Sequence, residues 1–268
     1  MSLSEAANAT KRVVAKYVMD KIIRPRTDIK IFGLGSGTTI ELAMKDKEIG
    51  LGDYLKSHNI KVVPTSFQAY EAAVAAGLKD QIASVKDSPS IDLAIDGADE
   101  VDEHLNLIKG GGGCFLLEKT VALHAKQLII LADNSKKSQR LGEKWSKGIP
   151  VEIVVNSEKV VDCDFRHNAE EVKSAILKKF GGDNAKTVLR QASKKCGPVI
   201  TDAGNLILDW IFPTDSSLDW KAVDEGIKAI PGVIATGVFV GIAHSVYFGQ
   251  EDGSVVMRDK TGDHKLNA

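Results

Sequence analysis

The sequence predicts an α/β protein: a doubly wound, Rossmann-like parallel sheet with a smaller ferredoxin-like α+β unit set between its two parts. Three observations lead there. Short apolar runs alternate with helix-period segments through the first half of the chain, the pattern of parallel strands with helical crossovers. Glycine-rich or acidic stretches follow some of those runs, at 33–39 and 96–102, where the ligand crevice of an open α/β sheet lies. Past Gly148-Ile149-Pro150 the order changes to β-α-β-β-α-β, which suits a ferredoxin-like unit. The expected division is 1–148 with 235–268 for the larger unit and 149–234 for the smaller.

Taken in order, Ala6, Ala9, Val13, Tyr17 and Val18 recur at helical spacing and predict an opening amphipathic helix. Residues 29–32 form a short strand running into G-L-G-S-G-T-T (33–39), with a helix through Ile40, Leu42 and Ala43. Strands are expected at 60–63, 91–95 and 127–132, and helices at 68–76 and 115–125. In the second part the spacing predicts a strand at 151–155, a helix at 169–180 stopped by Gly181-Gly182, and β segments at 187–192 and 198–210 that fold back near 202–205. Trp220, Val223, Ile227 and Ile230 mark a helix stopped by Pro231-Gly232. A strand-rich tail follows, with a hairpin turn at Asp252-Gly253.

Composition narrows the function classes. The chain has 268 residues, 43% hydrophobic and 26% charged, enough for a sizeable core and ordinary for a globular protein. A net charge of −1 argues against a general nucleic-acid binder. Cys114, Cys163 and Cys196 are odd in number and form no C-x-x-C pair, so a reducing compartment and no cysteine-rich metal site are expected. The N-terminal residues lack the apolar core of a signal peptide, and no apolar run approaches the ~20 residues that span a bilayer. A cytoplasmic protein without membrane or nucleic-acid partners is expected.

Three clusters carry chemistry. In the 33–39 loop, glycines let N–H groups point inward, the following helix N-terminus favours an anion, and Ser36, Thr38 and Thr39 add hydroxyls around Gly37. The string matches neither a P-loop nor G-x-G-x-x-G, so a sugar phosphate fits better than a nucleotide, with a plain strand-to-helix turn as the competing reading. The second cluster is Asp96, Asp99, Glu100 and Asp102. Its acids do not follow the EF-hand alternation. Asp96 and Asp99 lie nearest the strand end and are better placed for catalysis, while Glu100, Asp102 and Glu103 read as a solvated loop. The third is Lys109 with Gly110, Gly111, Gly112 and Gly113, then Glu118 near a helix start. There a flexible loop can lie against a substrate and Lys109 can supply charge, although helix capping alone would also explain Glu118. Lys136, just after the fourth strand, adds a second cation. The six histidines form no ligand-spaced pair.

At these residues the chain resembles the type A ribose-5-phosphate isomerases, with eukaryotic rather than short bacterial members the nearer match. The matching segments are G-L-G-S-G-T-T (33–39), D-G-A-D-E-V-D (96–102), K-G-G-G-G (109–113) with Glu118-Lys119, A-D-N-S-K (132–136), G-P-V-I-T-D-A-G-N (197–205) and I-P-G-V (230–233). The resemblance implies interconversion of D-ribose 5-phosphate and D-ribulose 5-phosphate in the pentose phosphate pathway, with no metal or organic cofactor and a homodimer or homotetramer. By position it implies that Glu118 is the general base of a cis-enediolate mechanism. Asp96 and Lys109 would assist ring opening and stabilise charge, and Asp99 would contact the sugar. Ser36, Gly37, Thr38, Thr39 and Lys136, with the glycine run 110–112, would hold substrate and phosphate. The family often carries a phosphate-reaching lysine on its opening helix; the positions in register are Ala7 and Asn8, with Lys11 one turn on. Phe115, Leu116 and Leu117 replace more polar residues ahead of Glu118.

Overall fold

The structure is a computed structural model that describes residues 3–155, 165–181, 184–213 and 218–266. The chain opens with α1 (Leu3–Val18), β1 (Ile31–Leu34), α2 (Thr38–Lys45), α3 (Leu51–Ser57), β2 (Lys61–Pro64), α4 (Phe67–Ala75) and β3 (Leu93–Asp96). Two short strands, β4 (Glu100–Val101) and β5 (Leu107–Ile108), precede α5 (Phe115–His124) and β6 (Leu128–Asp133). Then come β7 (Ile149–Ile153), α6 (Phe165–Phe180), β8 (Lys186–Leu189), β9 (Leu206–Ile211), α7 (Trp220–Lys228) and β10 (Val233–Thr236). The chain returns through β11 (Val238–Phe239), β12 (Ser245–Gly249), β13 (Val255–Asp259) and β14 (Gly262–Leu266).

The main sheet has seven strands in the order β14-β13-β12-β6-β3-β1-β2. Strands β2, β1, β3, β6 and β12 pair in parallel, and β13 and β14 extend the edge antiparallel. Every residue of β3 and β6 is buried, which is why those runs read as continuously apolar instead of alternating. One face packs Phe32, Leu34 and Ile95 against α1 and α2, and the other packs Ala94 and Ile130 against Phe115 and Val121 of α5. From β1 the chain passes to β2 on one side and then to β3 on the other. The direction of winding therefore reverses between β1 and β3, and a crevice opens at their carboxyl ends.

The second sheet, β10-β7-β9-β8, is antiparallel and carries α6 and α7, the connectivity expected of a ferredoxin-like unit. Its core includes Trp210, Ile176, Val223 and Ile227, with the Trp210 ring 5.8 Å from Phe180 and 5.7 Å from Phe212.

Some boundaries differ from the sequence reading. The strand expected at 151–155 runs from Ile149 to Ile153, because Ile149 and Pro150 already pair with Trp210 and Asp209 of β9. The helix expected from 169 begins at Phe165. Within 198–210 only Leu206–Ile211 pairs along its length, while 201–205 turn as expected, through Thr201 N–H to the Asn205 carbonyl. A third small sheet, β11-β5-β4, and helix α3 were not anticipated. Gly182 and Cys163 lie outside the described residues. Among the described residues no helix is long and apolar enough to cross a membrane.

Candidate active site

A cavity of about 750 Å³ opens at the carboxyl ends of β1, β3 and β6. It gathers almost all the residues singled out from the sequence: Ser36, Gly37, Thr38, Thr39, Asp99, Lys109, Gly110, Gly111, Gly112, Glu118 and Lys136 line it. Asp96 is the exception. It is 3% exposed and lies behind the wall.

Asp96 ends β3, and its carboxylate has three donors. Oδ1 accepts the N–H groups of Ser36 at 3.0 Å and Gly97 at 2.7 Å, while Oδ2 lies 3.0 Å from Lys109 Nζ. The strand and the 33–39 loop approach this closely because Gly35 has no side chain: a Cβ there would stand 2.3 Å from Asp96 Oδ1. Lys109 is delivered from the β5 end, its own N–H donating to the Gly237 carbonyl at 2.8 Å. Its ammonium also donates to the Gly97 carbonyl at 2.6 Å and lies 3.1 Å from Glu118 Oε2. Burial alone would lower the lysine's pKa, but the carboxylates of Asp96 and Glu118 outweigh it and hold it above the usual value.

Glu118 sits in the first turn of α5, behind the fully buried Phe115. Its Oε2 is buried, with the Lys109 ammonium 3.1 Å away as its charged neighbour. Burial first, and the negative charge of Asp96 second, push this carboxyl up to about 7 against the opposing pull of Lys109. Cys114, also on the wall, is pushed up to about 12 by burial and by Glu118, so it stays a thiol. The next residue along α5, Lys119, turns away from the cavity. Its ammonium donates to Asp224 Oδ1 (3.1 Å), Thr236 Oγ1 (3.1 Å) and the Val238 carbonyl (2.7 Å), and burial lowers its pKa to about 8. The Phe239 ring has Lys109 Nζ at 5.6 Å and Lys119 Nζ at 5.0 Å from its centre.

The cavity wall at the start of α2 suits an anion. Gly37, at φ +89°, precedes α2 and gives it no side-chain cap, so the N–H groups of the first turn are left for another acceptor. Ser36 Oγ is fixed by Thr65 Oγ1 at 2.9 Å and Ser66 Oγ at 2.7 Å, and the Gly37 N–H by Gln68 Oε1 at 2.9 Å. Lys136 comes from the 3₁₀ turn Asn134–Lys136 after β6.

The sequence reading needs one correction. Glu100 and Asp102 are not solvated: they are 0% and 2% exposed. Glu100 accepts the N–H groups of Gly142 at 2.6 Å and Lys144 at 2.7 Å. Asp102 holds the turn to Asn106, and burial raises its pKa despite those bonds. Only Glu103 is exposed, as expected. Among the described residues, no group of three or more His, Cys, Asp or Glu is placed to hold a metal ion. Gln68 and Lys11 are among the lining residues not assigned from the sequence. Gln68 follows the β2 end, where the strand-end rule that flagged the other loops would have found it. Lys11, one turn beyond Ala7 on α1, lines the cavity together with Ala7.

Fold and site together define a class: an α/β protein whose parallel sheet sets a buried acid–lysine–acid group opposite an uncapped helix N-terminus. The family model of ribose 5-phosphate isomerase A (phosphoriboisomerase A) matches residues 61–253. A ribose-5-phosphate isomerase of Homo sapiens is 42% identical over 261 residues, 97% of this chain and 76% of that protein. The solved ribose 5-phosphate isomerase from Plasmodium falciparum superposes with a TM-score of 0.76 at 28% identity, covering 98% of this chain and 99% of that one. A D-ribose-5-phosphate isomerase solved in complex with phospho-erythronic acid gives 0.73 at 34% identity, covering 100% of both chains. The chain belongs to the ribose 5-phosphate isomerase A family.

Proposed function

We propose that this chain interconverts D-ribose 5-phosphate and D-ribulose 5-phosphate through a cis-enediolate, with Glu118 as the general base. The observation that carries the proposal is the buried Glu118 Oε2, 3.1 Å from the Lys109 ammonium, on the wall of a cavity with an anion-binding end. A neutral sugar C–H gives up a proton only if the charge left on the neighbouring oxygen is stabilised. Glu118 takes the C2 proton and returns it to C1, while the hydroxyl proton on O2 passes to O1. Lys109, held by Asp96, stabilises the oxyanion as it forms. The same Asp96–Lys109 pair is the acid–base group for opening the furanose ring, and Asp99 contacts the sugar. The phosphate sits at the α2 N-terminus with Lys136, so its binding energy holds C1 and C2 against Glu118.

The division into 1–148 with 235–268 and 149–234, a homodimer or homotetramer, and a cytoplasmic setting belong to the same proposal, the assembly being testable by light scattering. The deciding experiment measures ribulose 5-phosphate formed from ribose 5-phosphate with EDTA present. Turnover is expected, and no turnover by well-folded protein overturns the reading.

A further inference from the structure

The glycine run between Lys109 and α5 has no side chains of its own to hold its shape. Gly110 sits at φ +95°, and a Cβ placed on Gly112 would meet nothing within 4 Å. Backbone of this freedom does not keep a catalytic geometry by itself. On one side, the Gly111 N–H donates to Asp99 Oδ2 at 2.7 Å, and the Gly113 N–H closes a turn on the Gly110 carbonyl at 3.0 Å. On the other side a cation reaches in from the small unit. Arg190, the residue after β8, donates from Nη1 to the Gly110 carbonyl at 2.7 Å and to the Gly111 carbonyl at 3.3 Å. Its other nitrogens are held by Asp209 of β9, Nε to Oδ2 at 2.8 Å and Nη2 to Oδ1 at 2.5 Å. A planar guanidinium gripped on two nitrogens has its third aimed, which a lysine in the same place would not match.

We propose that Arg190, oriented by Asp209, is a positioning residue for the reacting centre. It fixes the Gly110 and Gly111 carbonyls, and so fixes the cavity wall between Lys109 and Glu118, without touching substrate. The kinetic part of this proposal rests on the isomerase reading above. A loop displaced by about 1 Å is enough to cost about 100-fold in rate, because the substrate no longer meets the base in a reactive pose.

The test compares the wild type with Arg190→Ala, Arg190→Lys and Asp209→Asn. In Arg190→Ala, kcat should fall about 10- to 100-fold with KM changed less than about threefold, and free guanidinium should restore part of kcat. Arg190→Lys and Asp209→Asn should fall in between. Amide exchange at Gly111 and Gly113, measured without substrate, should quicken at least about tenfold in Arg190→Ala while global unfolding changes little. Folded Arg190→Ala with wild-type kcat, or with unchanged exchange at these amides, overturns the proposal. If that variant does not fold, the same readouts on Arg190→Lys and Asp209→Asn decide it. Because exchange needs no turnover, an inactive wild type would sink the isomerase reading while leaving the loop-holding claim to be judged on exchange.

Discussion

Lys109 Nζ stands 3.1 Å from Glu118 Oε2, an oxygen buried in the cavity wall. The cation holds down a pKa that burial and Asp96 raise, and the balance comes to rest at about 7. A base must be deprotonated to act, so kcat/KM should rise with pH through about 7 as one group ionises. Glu118→Gln should keep substrate binding and lose about 10²- to 10⁴-fold in kcat, the usual range for a general base. A pH–rate profile flat from roughly pH 5.5 to 8.5, or an unchanged kcat in the variant, removes Glu118 from that role.

Lys109→Met should act on both pH profile and stability. Without the cation, Asp96 and Glu118 face each other unneutralised, so the acid limb of activity should move above its wild-type position. The folded pKa of Glu118 already lies above the unfolded one, so the folded state binds more protons between the two and stability falls as pH rises across that window. In the variant this fall should be steeper, with a loss near neutral pH of about 3–5 kcal/mol. Thermal melts from pH 5 to 8 check it, and parallel curves for the two proteins would contradict it.

Lys136 and Lys11 line the cavity and form no ion pair with a described carboxylate. Lys136→Ala should raise KM about tenfold, the order of one charge-assisted hydrogen bond, and weaken inhibition by inorganic phosphate in parallel. Lys11→Ala should do the same to a smaller degree, since α1 reaches the cavity from its rim. A KM for ribose 5-phosphate unmoved by either change would place the phosphate elsewhere.

Gly35→Ala should be disproportionately harmful for one methyl group. The new Cβ would meet Asp96 Oδ1 at 2.3 Å and the Ile95 carbonyl at 2.5 Å, both fixed by the strand. About 1–3 kcal/mol of stability should be lost, and the Asp96–Lys109 pair should shift with it. Wild-type melting temperature and kcat together would show that the strand end yields more easily than this packing implies.

The candidate site was legible because most of its groups lie within a few residues of a strand end, where an apolar run gives way to glycines or acids. Ser36, Asp96 and Asp133 mark three such ends, and Lys109 and Glu118 follow in the same stretch. What the sequence hid comes from far along the chain. Arg190 meets Gly110 across 80 positions, and the N–H groups that bury Glu100 arrive 42 and 44 residues later. No local pattern marks an acid as destined for such donors, so Glu100 read as solvated. Strands β4, β5 and β11 are two residues each, too short for any period to show.

The contacts of Lys119 have a mechanical meaning. Helix α5 carries Glu118, yet its next residue is bolted to Asp224 of α7 and Thr236 of β10, and the Phe67 N–H ties α4 to Asp202 at 2.8 Å. Swinging α7 and β10 aside would strip a buried ammonium of its partners and drag α5 along. The back of the pocket is braced against such a motion. On the proposed function, a substrate entering this cavity would itself have to displace the water, since the wall behind it does not close over it.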